Sequence, residues 1–208
     1  MTRGMRTAGV AVAAVVGLLT VAGAARHPGG DEPQPDPQVV RGRQVVLEHG
    51  CGDCHGGIDN PAAPYWLAGV RSPQQEFQIG PFKTRPRNLT PDNATGLGRF
   101  SERQIFNALR YGLRPGETPD VEITGNTPGQ GNFPAVPKYM AIPMPWPSFR
   151  HMSDEDLWAI AAYLKRGLKP VSNRVADSEG PPDFWASEYT TEKIGTYPAP
   201  AYPTGNEK

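Results

Sequence analysis

Cysteine occurs twice in this chain, and both copies lie inside the run Cys51-Gly52-Asp53-Cys54-His55. The Cys-x-x-Cys-His spacing is that of a covalent haem site, in which each thiol adds to one vinyl group and the adjacent imidazole sits beneath the iron as an axial ligand. A structural zinc site of the usual four-ligand kind would need a second cysteine pair, which the sequence lacks. A thioredoxin-like dithiol shares the Cys-x-x-Cys spacing but requires strands alternating with helices around it, and no such alternation is visible. One covalent haem is the preferred reading, and the dithiol remains the alternative.

Proline and glycine number 24 each, and hydrophobic residues make up only 38% of the chain. A small core spread over so many turns is marginal unaided. A buried haem supplies apolar volume and stabilises the folded form by linkage, so the apoprotein is expected to fold poorly.

The leader says where the haem is added. Arg3 and Arg6 precede an apolar run from Ala8 to Ala25, with Ala22-Gly23-Ala24 or Gly23-Ala24-Ala25 as a small-residue cleavage site. Residues 1–25 therefore read as a secretory signal or, because the run matches the shortest spanning helix, as a membrane anchor through residues 8–25. Either reading places the rest of the chain outside the cytoplasm, in the periplasm or an equivalent exported location, free or attached to the inner membrane. Basic and acidic residues balance at 21 each, and Arg3 and Arg6 leave with the leader, so the remainder is slightly acidic. It has no basic stripe that would bind nucleic acid.

Residues 26–37 are a Pro/Gly-rich linker. A helix is expected from Gln38 to His49, stopped by Gly50; Gly42 inside it costs about 1 kcal/mol against alanine, which implies close contact with another helix. Residues 56–100 read as loop. Ser101 and Gln104 form a capping box for a helix from Glu102 to about Tyr111, ending at Gly112. Residues 113–139 again lack periodicity. The last helix starts at the N-cap Ser153, carries Asp154, Glu155 and Asp156 in its first turn, presents Leu157, Ile160, Ala161 and Leu164 as its apolar face, and stops by Pro170.

In this order the pieces resemble the class I cytochrome c family. The resemblance rests on the helix leading into Cys51-Gly52-Asp53-Cys54-His55, the segment Asn88-Leu89-Thr90-Pro91-Asp92 before the middle helix, and Pro143-Met144-Pro145-Trp146 before the last helix. It covers residues 38–170. It implies an all-α cytochrome c fold, here with long irregular Pro/Gly-rich insertions and an extended tail at 171–208. It also implies that the first and last helices cross near the haem, with Gly42 and Tyr163 as candidates for the crossing. The resemblance is closest to cytochromes and cytochrome modules serving bacterial dehydrogenases and respiratory chains.

Met140, Met144 and Met152 compete for the second axial position. Met152 precedes the N-cap Ser153 and can pack on Leu157 as a hydrophobic staple. Met144 lies between prolines that hold an extended loop, and the family's Met-Pro motif falls on it, so Met144 is the expected ligand and Met140 the alternative. His49 and His151 are assigned surface or capping roles rather than iron ligation. Arg85, Arg87, Asn88, Trp146 and Tyr65 suit haem propionates or pocket closure, but packing is the simpler role for each. The tail at 171–208 carries Phe184, Trp185, Tyr189, Tyr197 and Tyr202 among its prolines, too many aromatics for a solvated segment, so it is expected to wrap the helical domain or dock on a partner.

Three functions follow. The first is a one-electron carrier, not an enzyme, with haem c iron held by His55 and Met144 and exchanging electrons with a dehydrogenase, oxidase or respiratory complex. The second is a haem enzyme or small-molecule sensor with an open axial site. The third is a dithiol oxidoreductase working through Cys51 and Cys54.

Overall fold

The computed structural model describes Met1 and residues 34–71, 75–181, 183–195 and 203–208. The chain divides into Met1–Gln34 and Pro35–Lys208, and the elements below belong to the second unit. The expected leader or anchor at 1–25 and most of the 26–37 linker lie outside the described residues. No helix among the described residues is long and apolar enough to cross a membrane.

Helix α1 (Pro37–Glu48) begins just ahead of the expected start, because Asp36 and Pro37 are start signals rather than linker. The Asp36 carboxylate accepts the Gln38 N–H at 2.9 Å, and Pro37 occupies a first-turn position where a missing N–H costs nothing. Gly50, at φ 58°, turns the chain directly into the short helix α2 (Cys51–His55). Helix α3 (Glu102–Tyr111) carries the Ser101–Gln104 capping box and ends at Gly112 with φ 69°, both as expected. Helix α4 (Trp146–Phe149) is a single turn. Helix α5 (Asp154–Ala162) starts with Ser153 Oγ accepting the Asp156 N–H at 3.0 Å and runs on as a π-helical turn over Tyr163–Gly167. Helix α6 (Thr191–Ile194) lies in the tail.

The fold is mostly helical, and the all-α expectation needs one amendment. Strands β1 (Phe77–Ile79) and β2 (Phe82–Thr84) form an antiparallel hairpin, with Ile79 opposite Phe82, inside a stretch read as loop. Gly80 at φ 52° supplies the tight turn. Phe82 is buried and meets the Trp185 ring edge-on at 5.1 Å, so the hairpin exists by packing under the tail rather than by length.

Helices α1 and α5 cross in direct backbone contact. A Cβ on Gly42 would overlap the Ala159 carbonyl oxygen and lie 2.7 Å from Tyr163 Cβ, so the implied close approach falls on Gly42. Arg41 seals the crossing by donating to Asp156 at 2.7 Å. Buried Arg110 joins the end of α3 to the start of α5 through the Arg150 carbonyl and the Asp154 carboxylate.

Candidate functional site

Helix α2 brings Cys51, Cys54 and His55 onto one turn. Its interior residue Gly52 is buried against Trp66, and a Cβ there would overlap the indole ring. The Trp66 indole N–H donates to the Tyr163 hydroxyl at 2.8 Å, so the cysteine-bearing turn is braced from the helix crossing. The glycines that follow, Gly56 and Gly57 with φ 97° and 110°, let the chain double back so that Gly69 N–H reaches the His55 carbonyl at 2.7 Å.

Both thiols are free and half-buried. Burial pushes the Cys51 thiol up to about 11 and shifts Cys54 in the same direction, with the carboxylate of Asp53 adding to both. A dithiol oxidoreductase needs a depressed thiol pKa, so this environment opposes that reading. Burial holds the His55 imidazole below the usual histidine range, although its bond to Arg87 works the other way. With the ring neutral, Nδ1–H donates to the Arg87 carbonyl at 2.7 Å, and Nε2 keeps its lone pair with no hydrogen-bond partner among the described residues. An oriented imidazole of this kind is what an axial metal ligand requires.

The methionines come next. The insertion after α3 closes on itself where Arg114 N–H meets the Lys138 carbonyl at 2.8 Å and Met140 N–H meets the Gly112 carbonyl at 2.7 Å. Met140 thus has its backbone in an extended pairing, whereas Met144 sits in a turn, its N–H on the Ala141 carbonyl at 2.9 Å and its carbonyl accepting from Trp146 at 2.8 Å. Met140, Met144 and Met152 are all half-buried against the core.

Other sequence candidates have structural partners. His49 Nδ1 hydrogen-bonds the Val45 carbonyl at 3.0 Å at the end of α1, and His151 is exposed. Arg85 pairs with Glu76 and Glu179, Tyr65 lies under Arg71, and Trp146 is fully buried in a stack on Tyr139. Asn88 is buried, accepts from Thr90 N–H at 2.9 Å, and donates to the Val171 carbonyl at 2.7 Å. Sequence reasoning missed the role of Arg87, whose contribution is a backbone carbonyl and so leaves no side-chain signal. It also missed Trp66 against Gly52, since two positions in different loops share no periodicity.

A thiol pair kept protonated beside a neutral, oriented imidazole suits thioether attachment of a c-type haem, and the helical shell around it defines an electron-transfer protein of that class. Comparison with known proteins agrees. The profile of the family described as Cytochrome c matches residues 39–167, and the chain belongs to that family. It is 32% identical to the gluconate 2-dehydrogenase cytochrome c subunit of Pantoea cypripedii over 68% of this chain and 29% of the relative. It is 31% identical to the cytochrome c subunit of alcohol dehydrogenase (quinone) of Gluconobacter oxydans (strain 621H) over 82% of this chain and 30% of the relative. The fructose dehydrogenase cytochrome subunit of Gluconobacter japonicus is 27% identical over 76% of this chain and 28% of its own length. The chain therefore spans less than a third of these curated relatives. They are cytochrome subunits of dehydrogenases rather than the catalytic subunits, which agrees with an electron carrier.

Proposed function

We propose that one haem c would be held covalently by Cys51 and Cys54, with His55 and Met144 as the residues that would ligate its iron. When bound, this group supplies a one-electron couple whose potential methionine ligation raises. The chain's residues do the rest. Before attachment, burial keeps the Cys51 thiol protonated, and the Arg87 carbonyl fixes the His55 tautomer that would leave Nε2 free, with raised basicity, to hold the iron. Met144 is preferred to Met140 because it lies between Pro143 and Pro145, on the family's Met-Pro motif, in a turn rather than in the extended pairing that holds Met140. Residues 38–170 make the cytochrome domain, and of the tail Trp185, Ala186, Tyr189 and Ile194 pack against its core.

The likeness to cytochrome subunits of gluconate, alcohol and fructose dehydrogenases supports a dehydrogenase as electron donor, and a respiratory complex or oxidase then accepts. The Cys-x-x-Cys-His run and the leader reading together favour an exported location, free or anchored at residues 8–25.

The observation that carries this reading is the 2.7 Å bond from His55 Nδ1–H to the Arg87 carbonyl beside two unpaired thiols. It is tested by the visible spectrum of protein matured in a host with haem-attachment machinery. Sharp reduced bands insensitive to carbon monoxide are expected. Prompt carbon monoxide binding would instead mean an open axial site, and a colourless protein with two titratable thiols a dithiol.

A further inference from the structure

We propose that residues 171–181 and 183–189 form an internal strap that positions both proposed iron ligands, His55 from one end and Met144 from the other. The proposal rests on the haem reading above.

On the His55 side, two segments touch the ligand and both are tied down by the strap. Gly69 N–H holds the His55 carbonyl, and Asn173 Nδ2 donates to the carbonyls on either side of Gly69, Ala68 at 2.8 Å and Val70 at 3.1 Å. The Arg87 carbonyl holds the His55 ring. The Arg87 guanidinium donates to the Val175 carbonyl at 3.1 Å and to Ser178 Oγ at 3.3 Å, and pairs with Asp177 at 3.3 Å. The carbonyl and the imidazole of one residue are thus fixed by loops that share a single anchor.

The far end of the strap reaches the methionine loop. Between the two ends, Glu179 pairs backbone to backbone with Lys83, at 2.9 and 3.0 Å, and Trp185 buries itself on Phe82. Asp183 then lies 3.3 Å from Arg114, at the base of the loop that delivers Met140 to Met144. Tyr189 meets the Trp146 ring edge-on at 4.6 Å and Tyr139 at 5.4 Å, and the Trp146 backbone N–H donates to the Met144 carbonyl. Hydrogen bonds to a histidine ligand set its donor strength, and the hold on a methionine loop sets how readily an outside ligand replaces the thioether. A tail serving only stability would move neither.

The test uses the full-length haem-loaded protein, with imidazole as the competing ligand and the oxidised-to-reduced ratio read at one fixed ambient potential. Tyr189→Ala is expected to bind imidazole at least tenfold more tightly than the unaltered protein, while Tyr189→Phe, which keeps the ring, restores the original affinity. Asn173→Ala is expected to release the Gly69 segment from the His55 carbonyl and let the ring draw away from the Arg87 carbonyl. The imidazole then becomes a poorer donor, and the oxidised-to-reduced ratio falls at least threefold. Should Asn173→Ala fail to fold, Ser178→Ala, which removes a single contact to Arg87, is read in its place. Unchanged imidazole affinity in Tyr189→Ala, or an unchanged ratio in the His55-side variant, overturns the strap even if melting temperatures fall. Met144→Ala separates the two ideas. If it binds imidazole no better than the unaltered protein, the Met144 reading fails; if it binds better and Tyr189→Ala does not, the strap alone fails.

Discussion

Trp66 and Tyr163, 97 positions apart, share a 2.8 Å hydrogen bond from indole N–H to phenol oxygen. Trp66 rests on Gly52 between the two cysteines, and Tyr163 rests on Gly42 and Gly167 where the first and last helices meet. This one pair therefore couples the position of the cofactor-bearing turn to the helix crossing.

Tyr163→Phe keeps the ring and removes the acceptor of a buried donor. An unsatisfied buried N–H costs about 1–3 kcal/mol, so thermal melting should drop by several degrees. Differential scanning calorimetry checks it, and a melting point within a degree of the original would show that the indole finds another partner.

Gly42→Ala sets two effects of opposite sign against each other. Helix propensity favours alanine by about 1 kcal/mol. The new methyl, however, meets the Ala159 carbonyl and Tyr163 Cβ, both of them part of the last helix's backbone or attached to it, and overpacking of that kind costs about 1–3 kcal/mol or more. Net destabilisation by urea unfolding is the expected result. A stabilised variant would mean that the crossing is looser than the geometry here.

Gly52→Ala drives a methyl into the Trp66 ring, meeting the six-membered-ring atoms Cζ3 and Cη2. Trp66→Phe removes the bulk of that overlap at the cost of the bond to Tyr163. The double variant should thus lose less stability than the two single losses combined, by about 1 kcal/mol or more in a double-mutant cycle. Strict additivity would place the two residues out of contact.

Much of this arrangement is legible in the sequence because its signals are local. Ser101 with Gln104, Gly112, and Ser153 before three acids each act within one helical turn, and the structure uses all of them. Gly42 could be read as a contact because a glycine inside a helix needs a reason. The hairpin at 77–84 was hidden since three-residue strands are too short for alternation to register, and Phe82 needs the distant Trp185 to be buried. The same holds for the site. Cys51, Cys54 and His55 are found by their spacing, while the groups that orient them, a carbonyl at Arg87 and a side chain at Asn173, depend on how the loops and tail return to the motif.

The alkaline stability of the apoprotein should report the Cys51 environment. Burial raises this thiol from an ordinary 9.0 to about 11 in the folded chain, so below pH 9 it is protonated in both states and its contribution is fully present. Between pH 9 and 11 the unfolded chain gives up the proton first, and folding loses roughly 3 kcal/mol, because each tenfold difference in proton affinity between the two states is worth about 1.4 kcal/mol. Buried Tyr111, Tyr139 and Tyr163, also raised above the ordinary tyrosine range by burial, add a loss of the same sign with or without haem. The diagnostic is therefore a difference. Helical circular dichroism of apoprotein held folded by an excluded osmolyte should fade more steeply above pH 9 than that of the Cys51→Ala apoprotein. The haem-loaded protein, whose sulfurs would carry no titrating proton, should lack the extra slope. Identical slopes for the unaltered and Cys51→Ala apoproteins would mean that the thiol is solvated rather than buried.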